Sequence, residues 1–175
     1  SDFSAPSPPP EILRFLPVSF TPTEREKGVG NLAVLMHRWF LDNLRKQDTG
    51  EGEKQILRIY ELSNLPLLLP IQINRFSEGK KDNTILKCPL ELYPFRFSPK
   101  SLHMDLSWNF HALLCHRGET LLEGHYYCVI RQLDKWIIFD DLKIPSFHFY
   151  PKLPSKLAEE IQREGYFALY LRSGI

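Results

Sequence analysis

Cysteine is scarce in this chain. Three residues, Cys88, Cys115 and Cys128, stand far apart in 175, with no CxxC pair. An odd, dispersed set excludes a disulfide framework and a zinc knuckle, and suits reduced thiols in a cytosol-like compartment, of its own cell or of a host. Charge of one sign is also lacking: 22 basic residues face 21 acidic ones, for a net charge of +1. No global field therefore draws the chain to nucleic acid or to an anionic membrane. Apolar runs such as LPLLLPI are too short to span a bilayer, and SDFSAPSPPP lacks the basic-then-apolar order of a signal peptide. No internal repeat is present. These absences leave the expectation of one compact soluble domain, monomeric, with neither membrane segment nor cofactor; at this length one core can bury roughly two-thirds of the unfolded surface.

Proline is not scarce, and four of the first ten residues carry it. That composition predicts a leader or linker over residues 1–20, with a single domain over 21–175. The segment NLAVLMHRWFLDNLRK predicts a helix, with Asn31 as N-cap and apolar residues at Leu32, Leu35, Met36, Trp39, Phe40 and Leu44. Val34 and Leu41 widen that stripe and predict burial on several sides. QDTGEGEKQ reads as an exposed polar loop. From residue 56 onwards the texture changes to short apolar runs broken by Pro, Gly, Asn and Asp: QILRIYEL, LLLPIQINRF, TILKCPLEL, WNFHALLCH, HYYCVIRQL, KWIIFDDL and YFALYLR. These predict antiparallel strands, with a weak helix at KLAEEIQREG before the last. The expected class is α+β, an N-terminal helix packed on a curved antiparallel sheet.

Chemistry concentrates in LLEGHYYCVIRQLDKWIIFDD, residues 121–141. If HYYCVIRQ and KWIIFDD form a hairpin with a two-residue loop at Leu133 and Asp134, residues whose numbers sum to 267 face one another. Tyr127 then lies opposite Asp140, and His125 and Asp140 share a face on the diagonal, within reach of each other. A three-residue loop places Asp141 there instead, because a slip of one residue flips a strand. In either register the carboxylate can orient the imidazole, and the imidazole can take a proton from a thiol or hydroxyl. A zinc set of Cys115, His116, His125 and Cys128 is disfavoured, since neighbours on a strand point to opposite faces. His103, His111 and His148 read as surface or sheet residues, and Gly79-Lys80-Lys81-Asp82-Asn83 as a hairpin turn with solvated charges.

Five segments in order resemble the ubiquitin-specific protease family of deubiquitinating cysteine proteases. LPLLLPIQINRF is similar to its palm strand ending in Arg-Phe, and KCPLEL to the proline-containing strand that follows. WNFHALLCHRG is similar to the segment leading to its His-x-Gly, EGHYYCVIRQLDKWIIFDD to its histidine box, and GYFALYLR to its terminal strand. The resemblance implies a papain-like fold, with thumb and palm but without fingers, since residues 45–64 leave no room for zinc-binding fingers and hold no cysteine. It implies that His125 is the general base and that Asp140, directly after Phe139, orients it, which favours the two-residue loop.

The family's nucleophile box, Gly-Asn-Thr-Cys-like, aligns with Gly30, Asn31, Leu32 and Ala33, so alanine stands where the resemblance expects the nucleophilic cysteine. A family amide that donates to the oxyanion falls on Gly28, which has no side chain. Backbone N–H groups of residues 32 and 33 are the expected substitute, with Asn31, Leu32 and Asp141 in support. The implied activity is cleavage after the C-terminal glycine of ubiquitin, in an isopeptide, peptide or ester bond. On that reading Ala33 replaces a cysteine; the alternative is a catalytically dead ubiquitin-binding or scaffold module.

Overall fold

The computed structural model describes residues 12–41, 43–48, 53–58, 64–96, 103–120 and 122–174, with residues 41, 43–48 and 53–58 described through their backbone alone. In chain order the elements are β1 (Leu16–Val18), α1 (Pro22–Lys27), β2 (Val29–Asn31), α2 (Leu32–Leu41), β3 (Asn43–Asp48), β4 (Glu53–Arg58) and β5 (Leu68–Ile73). Then come β6 (Phe76–Ser77), β7 (Lys80–Lys81), β8 (Ile85–Lys87), β9 (Glu91–Leu92), β10 (Trp108–Arg117), β11 (His125–Gln132), β12 (Lys135–Phe139), β13 (Phe147–Tyr150), α3 (Ser155–Glu164) and β14 (Gly165–Arg172). The main sheet runs β1-β5-β14-β10-β11-β12-β13, with β9 added beside β10. Only the β1–β5 pair in it is parallel. The α+β class is as expected.

Alternation decides which sheet face is buried. In β5, Leu69, Ile71 and Ile73 are buried while Leu68 is exposed and Pro70 and Gln72 lie between. The same buried face carries Ala168 and Tyr170 of β14, Phe110 and Leu113 of β10, Val129 of β11 and Ile138 of β12. Leu32, Leu35, Met36 and Phe40 of α2 and Ile161 of α3 belong to this core.

Four expectations change. Leu16 and Val18, inside the expected leader, are buried in β1 alongside β5, and Phe20 is buried too, so packed structure begins before residue 21. Three residues are too few for a period to be read; residues 1–11 of that leader lie outside the described residues. The helix ends at Leu41 and not at Lys46, and Asn43–Asp48, expected as the helix end and the start of a polar loop, pairs antiparallel with Glu53–Arg58, whose last four residues begin the expected strand QILRIYEL. Residues 49–52, and residues 59–62 of the expected strand QILRIYEL, lie outside the described residues. A polar ribbon has no apolar alternation to announce it, because its ladder is made by the backbone. Val34 is 51% exposed, so α2 buries one face rather than several. Lys81 is not simply solvated, since its Nζ donates to the His116 carbonyl.

One buried cation fixes the approach to the site. Arg75, 1% exposed, donates from Nε to the Gly165 carbonyl, from Nη1 to Asp82 and Thr84, and from Nη2 to Gln162. Its guanidinium also lies 5.2 Å from the Phe20 ring centroid. Burial draws its pKa down to about 10, against the pull of Asp82, so it stays charged at neutral pH. The side chain thus ties the end of α3 and the start of β14 to the stretch leading into β8. Arg75→Ala leaves four carbonyl acceptors without their donor. Urea unfolding should show a loss of at least about 3 kcal/mol; a loss under about 1 kcal/mol would mean that water replaces the guanidinium freely.

Candidate active site

The β11–β12 turn sets the geometry of the histidine. Leu133 and Asp134 both take left-handed φ, 48° and 62°, the conformation of a two-residue hairpin turn whose twist matches the strands. The register follows: Gln132 faces Lys135 and Cys128 faces Phe139, each pair summing to 267. The two-residue loop is therefore the one present, and it brings His125 Nε2 to 2.6 Å from Asp140 Oδ1. Asp141 Oδ1 stands farther off, at 3.8 Å, on a side chain 69% exposed.

Asp140 is 2% exposed and held from several sides. Its N–H donates to the Ser146 carbonyl, its Oδ1 accepts from the Leu142 N–H at 3.2 Å, and Lys143 Nζ lies 3.6 Å from Oδ2. Burial alone would raise the carboxyl's pKa. The hydrogen bonds from His125 and the Leu142 N–H, with the charges of His125 and Lys143, outweigh it and hold the group below its ordinary value. With Asp140 ionised, the proton of this bond sits on Nε2, and Nδ1 is left as the basic nitrogen of the ring. Lys143 and the Leu142 N–H were not foreseen, because a turn's donors carry no periodic signal.

The start of α2 is built from the other side. Thr21 caps α1 through Glu24, whose own carboxylate returns to the Thr21 N–H, and Arg38 of α2 pairs with Glu24 at 2.6 Å. Gly28 ends α1 at φ 71° and turns the chain into β2, which runs parallel to β8. Gly30 then passes so close to Phe20 that a Cβ there would lie 2.7 Å from the ring. Asn31 is the cap expected of it: its Oδ1 accepts from the Ala33 N–H at 2.9 Å. That donor is thus engaged by the cap, and the Leu32 N–H follows directly on the Asn31–Lys87 pairing of β2 with β8. Leu32's side chain is fully buried. Ala33 borders a cavity of about 210 Å³ with Met36, His37, Glu91, Tyr93 and Arg96; His125 and Asp140 are not among its lining residues.

His125, Asp140 and Asp141 also form a trio of metal-type donors within 4.8 Å of one another. Nε2 and Asp140 are committed to each other, however, and Lys143 sits against Asp140, so the trio is engaged mainly within itself. The three cysteines offer no reactive thiol. Burial pushes Cys88 up to about 12 and raises Cys115 and Cys128 as well.

The depressed carboxyl of Asp140 has a signed consequence. Its contribution to stability is complete above the ordinary aspartate value, near about 4, and is lost as pH falls through the lower folded-state value. Followed by NMR, the His125 Nε2–H should keep its bond down to about pH 4 and lose it below. Loss already near pH 6 would show that Asp140 is not held ionised.

Comparison with known proteins places the chain in a family. The family described as ubiquitin carboxyl-terminal hydrolase matches residues 22–170. A Mus musculus protein named ubiquitin carboxyl-terminal hydrolase 17-like protein B is 31% identical over 99 residues, which cover 54% of this chain and 21% of the mouse protein. Among solved structures, the Ubp8-Sgf11-Sgf73-Sus1 SAGA DUB module is similar with a TM-score of 0.63 at 18% identity, over 91% of this chain and 34% of that one. A yeast SAGA DUB module with an Sgf73 mutant gives 0.58 at 16% identity, over 92% and 34%. The chain therefore spans about a fifth of the curated relative and a third of the matched structural chains, and the structural likeness shows a shared fold. Because the family match covers residues 22–170, most of the chain, the chain belongs to the ubiquitin carboxyl-terminal hydrolase family, as its sequence resemblance implied.

Proposed function

We propose that this chain is a deubiquitinase domain, a thiol hydrolase acting after the C-terminal glycine of ubiquitin, carried here in a form that lacks its nucleophile. The observation that supports it most is the 2.6 Å bond between His125 and a buried, ionised Asp140 in a chain of this family. A cysteine at position 33 would sit at the N-terminus of α2, where the helix dipole favours a thiolate. Its proton passes to His125 Nδ1 while sulfur attacks the glycine carbonyl. The imidazolium, steadied by Asp140, returns that proton to the leaving nitrogen or oxygen as the C–N or C–O bond breaks. Water then attacks the thioester, giving up a proton to His125, and the regenerated thiol leaves. The backbone at the start of α2, residues 32 and 33, is the region assigned to the developing oxyanion.

A second reading, a ubiquitin-binding module without catalysis, is favoured by Ala33 together with the glycine at position 28. Restoring the thiol separates the two. Ala33→Cys should create hydrolysis of a fluorogenic ubiquitin C-terminal substrate, and adding His125→Ala should remove several orders of magnitude of that rate. A folded but inert Ala33→Cys protein would favour the binding module.

Recognition and chemistry use different groups, so the alanine form should still bind. Removing the thiol also removes a potential negative charge facing the product carboxylate. Calorimetry should give 1:1 binding of ubiquitin on the order of micromolar, weakened when the two terminal glycines are deleted. Equal affinity for both forms would mean that the tail does not enter a cleft. We also infer that the domain works as a monomer in a reducing, cytosolic compartment, which its three free cysteines suit; a dimer mass in light scattering would overturn the first part.

A further inference from the structure

Next to the His125–Asp140 pair lies a second histidine that the proposed chemistry does not use. His116 is the last but one residue of β10, facing Tyr126 across the β10–β11 ladder, and the next pair, Arg117 with His125, is the last before the loop. It is 1% exposed, and neither ring nitrogen has a hydrogen-bond partner. Its ring lies tilted against Tyr126, centroids 4.7 Å apart, and meets Phe76 edge-on at 5.5 Å. Two glycines of the loop close over it. Gly118 and Gly124 have φ of 146° and 148°, and a Cβ on Gly124 would collide with the Arg117 carbonyl and with His116 Nε2. Lys81 completes the clamp, its Nζ on the His116 carbonyl and its N–H on the Glu119 carbonyl.

We propose that His116 is a positioning residue for His125: its ring, wedged between Phe76 and Tyr126 beneath Gly118 and Gly124, sets the backbone from which His125 reaches Asp140. Gly124 directly precedes His125, so any shift of its backbone is passed on to the Cα of the histidine. With no partner for its nitrogens among the described residues, the ring is held by packing against its neighbours. The ring stays uncharged. Burial lowers its pKa, Lys81 and His125 act in the same sense, and the opposing Glu164 is already taken by Tyr127 and Arg117. An uncharged, packed ring has one resting place, which is what a rigid support requires.

This inference rests on the hydrolase reading for its meaning but can be tested without hydrolysis. In the alanine protein, the His125 Nε2–H resonance and its pH titration report the Asp140 bond directly. His116→Ala, which removes the wedge, and Gly124→Ala, which keeps the wedge but pushes the backbone off it, should both shift that resonance and speed its exchange with solvent. Cys115→Ala, a truncation at the adjacent buried position on the opposite face, should lower the melting temperature without moving it. Placed in the Ala33→Cys background, His116→Ala should cut kcat about a hundredfold with KM little changed, the size expected for a displaced catalytic group. An unmoved His125 signal in folded His116→Ala or Gly124→Ala overturns the proposal, as does an equal shift from Cys115→Ala. Should His116→Ala fail to fold, Gly124→Ala decides alone. If the signal moves but Ala33→Cys is inert, the hydrolase reading fails and the positioning role stands.

Discussion

The guanidinium of Arg75 is the group on which the other parts converge. A charged side chain 1% exposed is tolerated only when its donors are spent, and here they are spent on carbonyls alone. A carboxylate partner would have made a local ion pair; carbonyls from α3, β14 and the approach to β8 make a junction instead. Since β8 carries β2, and β2 delivers the first residue of α2, the position of Ala33 depends on a cation buried behind the sheet. Phe20, lying over the same guanidinium and against Gly30, couples the two from the other side.

Two unlike supports therefore meet at the site. On the α2 side, the position is set by a chain of contacts: the Arg38–Glu24 pair, a left-handed glycine, a short parallel pairing and an asparagine cap. On the histidine side it is set by ladder register and by ring packing, with charges from Asp140, Asp141, Lys143 and Lys81 at its edges. The first is sensitive to salt and to truncation of exposed side chains; the second responds to volume.

What could be read before the structure was known follows the same division. Register is arithmetic, so the residues at 125 and 140 could be paired from a two-residue turn, and Asn31 could be named as a cap because caps have a residue preference. The long strands β10, β11 and β14 announced themselves by apolar runs. β9 and the end of β4 fall within the expected runs TILKCPLEL and QILRIYEL, whereas β1 and β2, three residues each, did not announce themselves, nor did β3, whose polar residues show no alternation. The roles of Lys143, Leu142 and Lys81 were hidden for another reason. Each acts through one hydrogen bond or charge contact made in a turn or short hairpin, and such contacts depend on three-dimensional closure more than on composition. The engaged Ala33 N–H belongs with them, a consequence of the cap that only geometry displays.

The turn at Leu133 and Asp134 has a further implication through the tandem acids that follow β12. Turn length in a hairpin changes by whole residues, and a change of one would carry Asp140 away from His125 and rotate Asp141 into its place. Both positions hold the same side chain, so a register slip at fixed sequence, in which the turn takes in one more strand residue, would exchange one aspartate for the other on the histidine's face. The doubled acid keeps a carboxylate on that face in either register, beyond what the 2.6 Å contact alone provides.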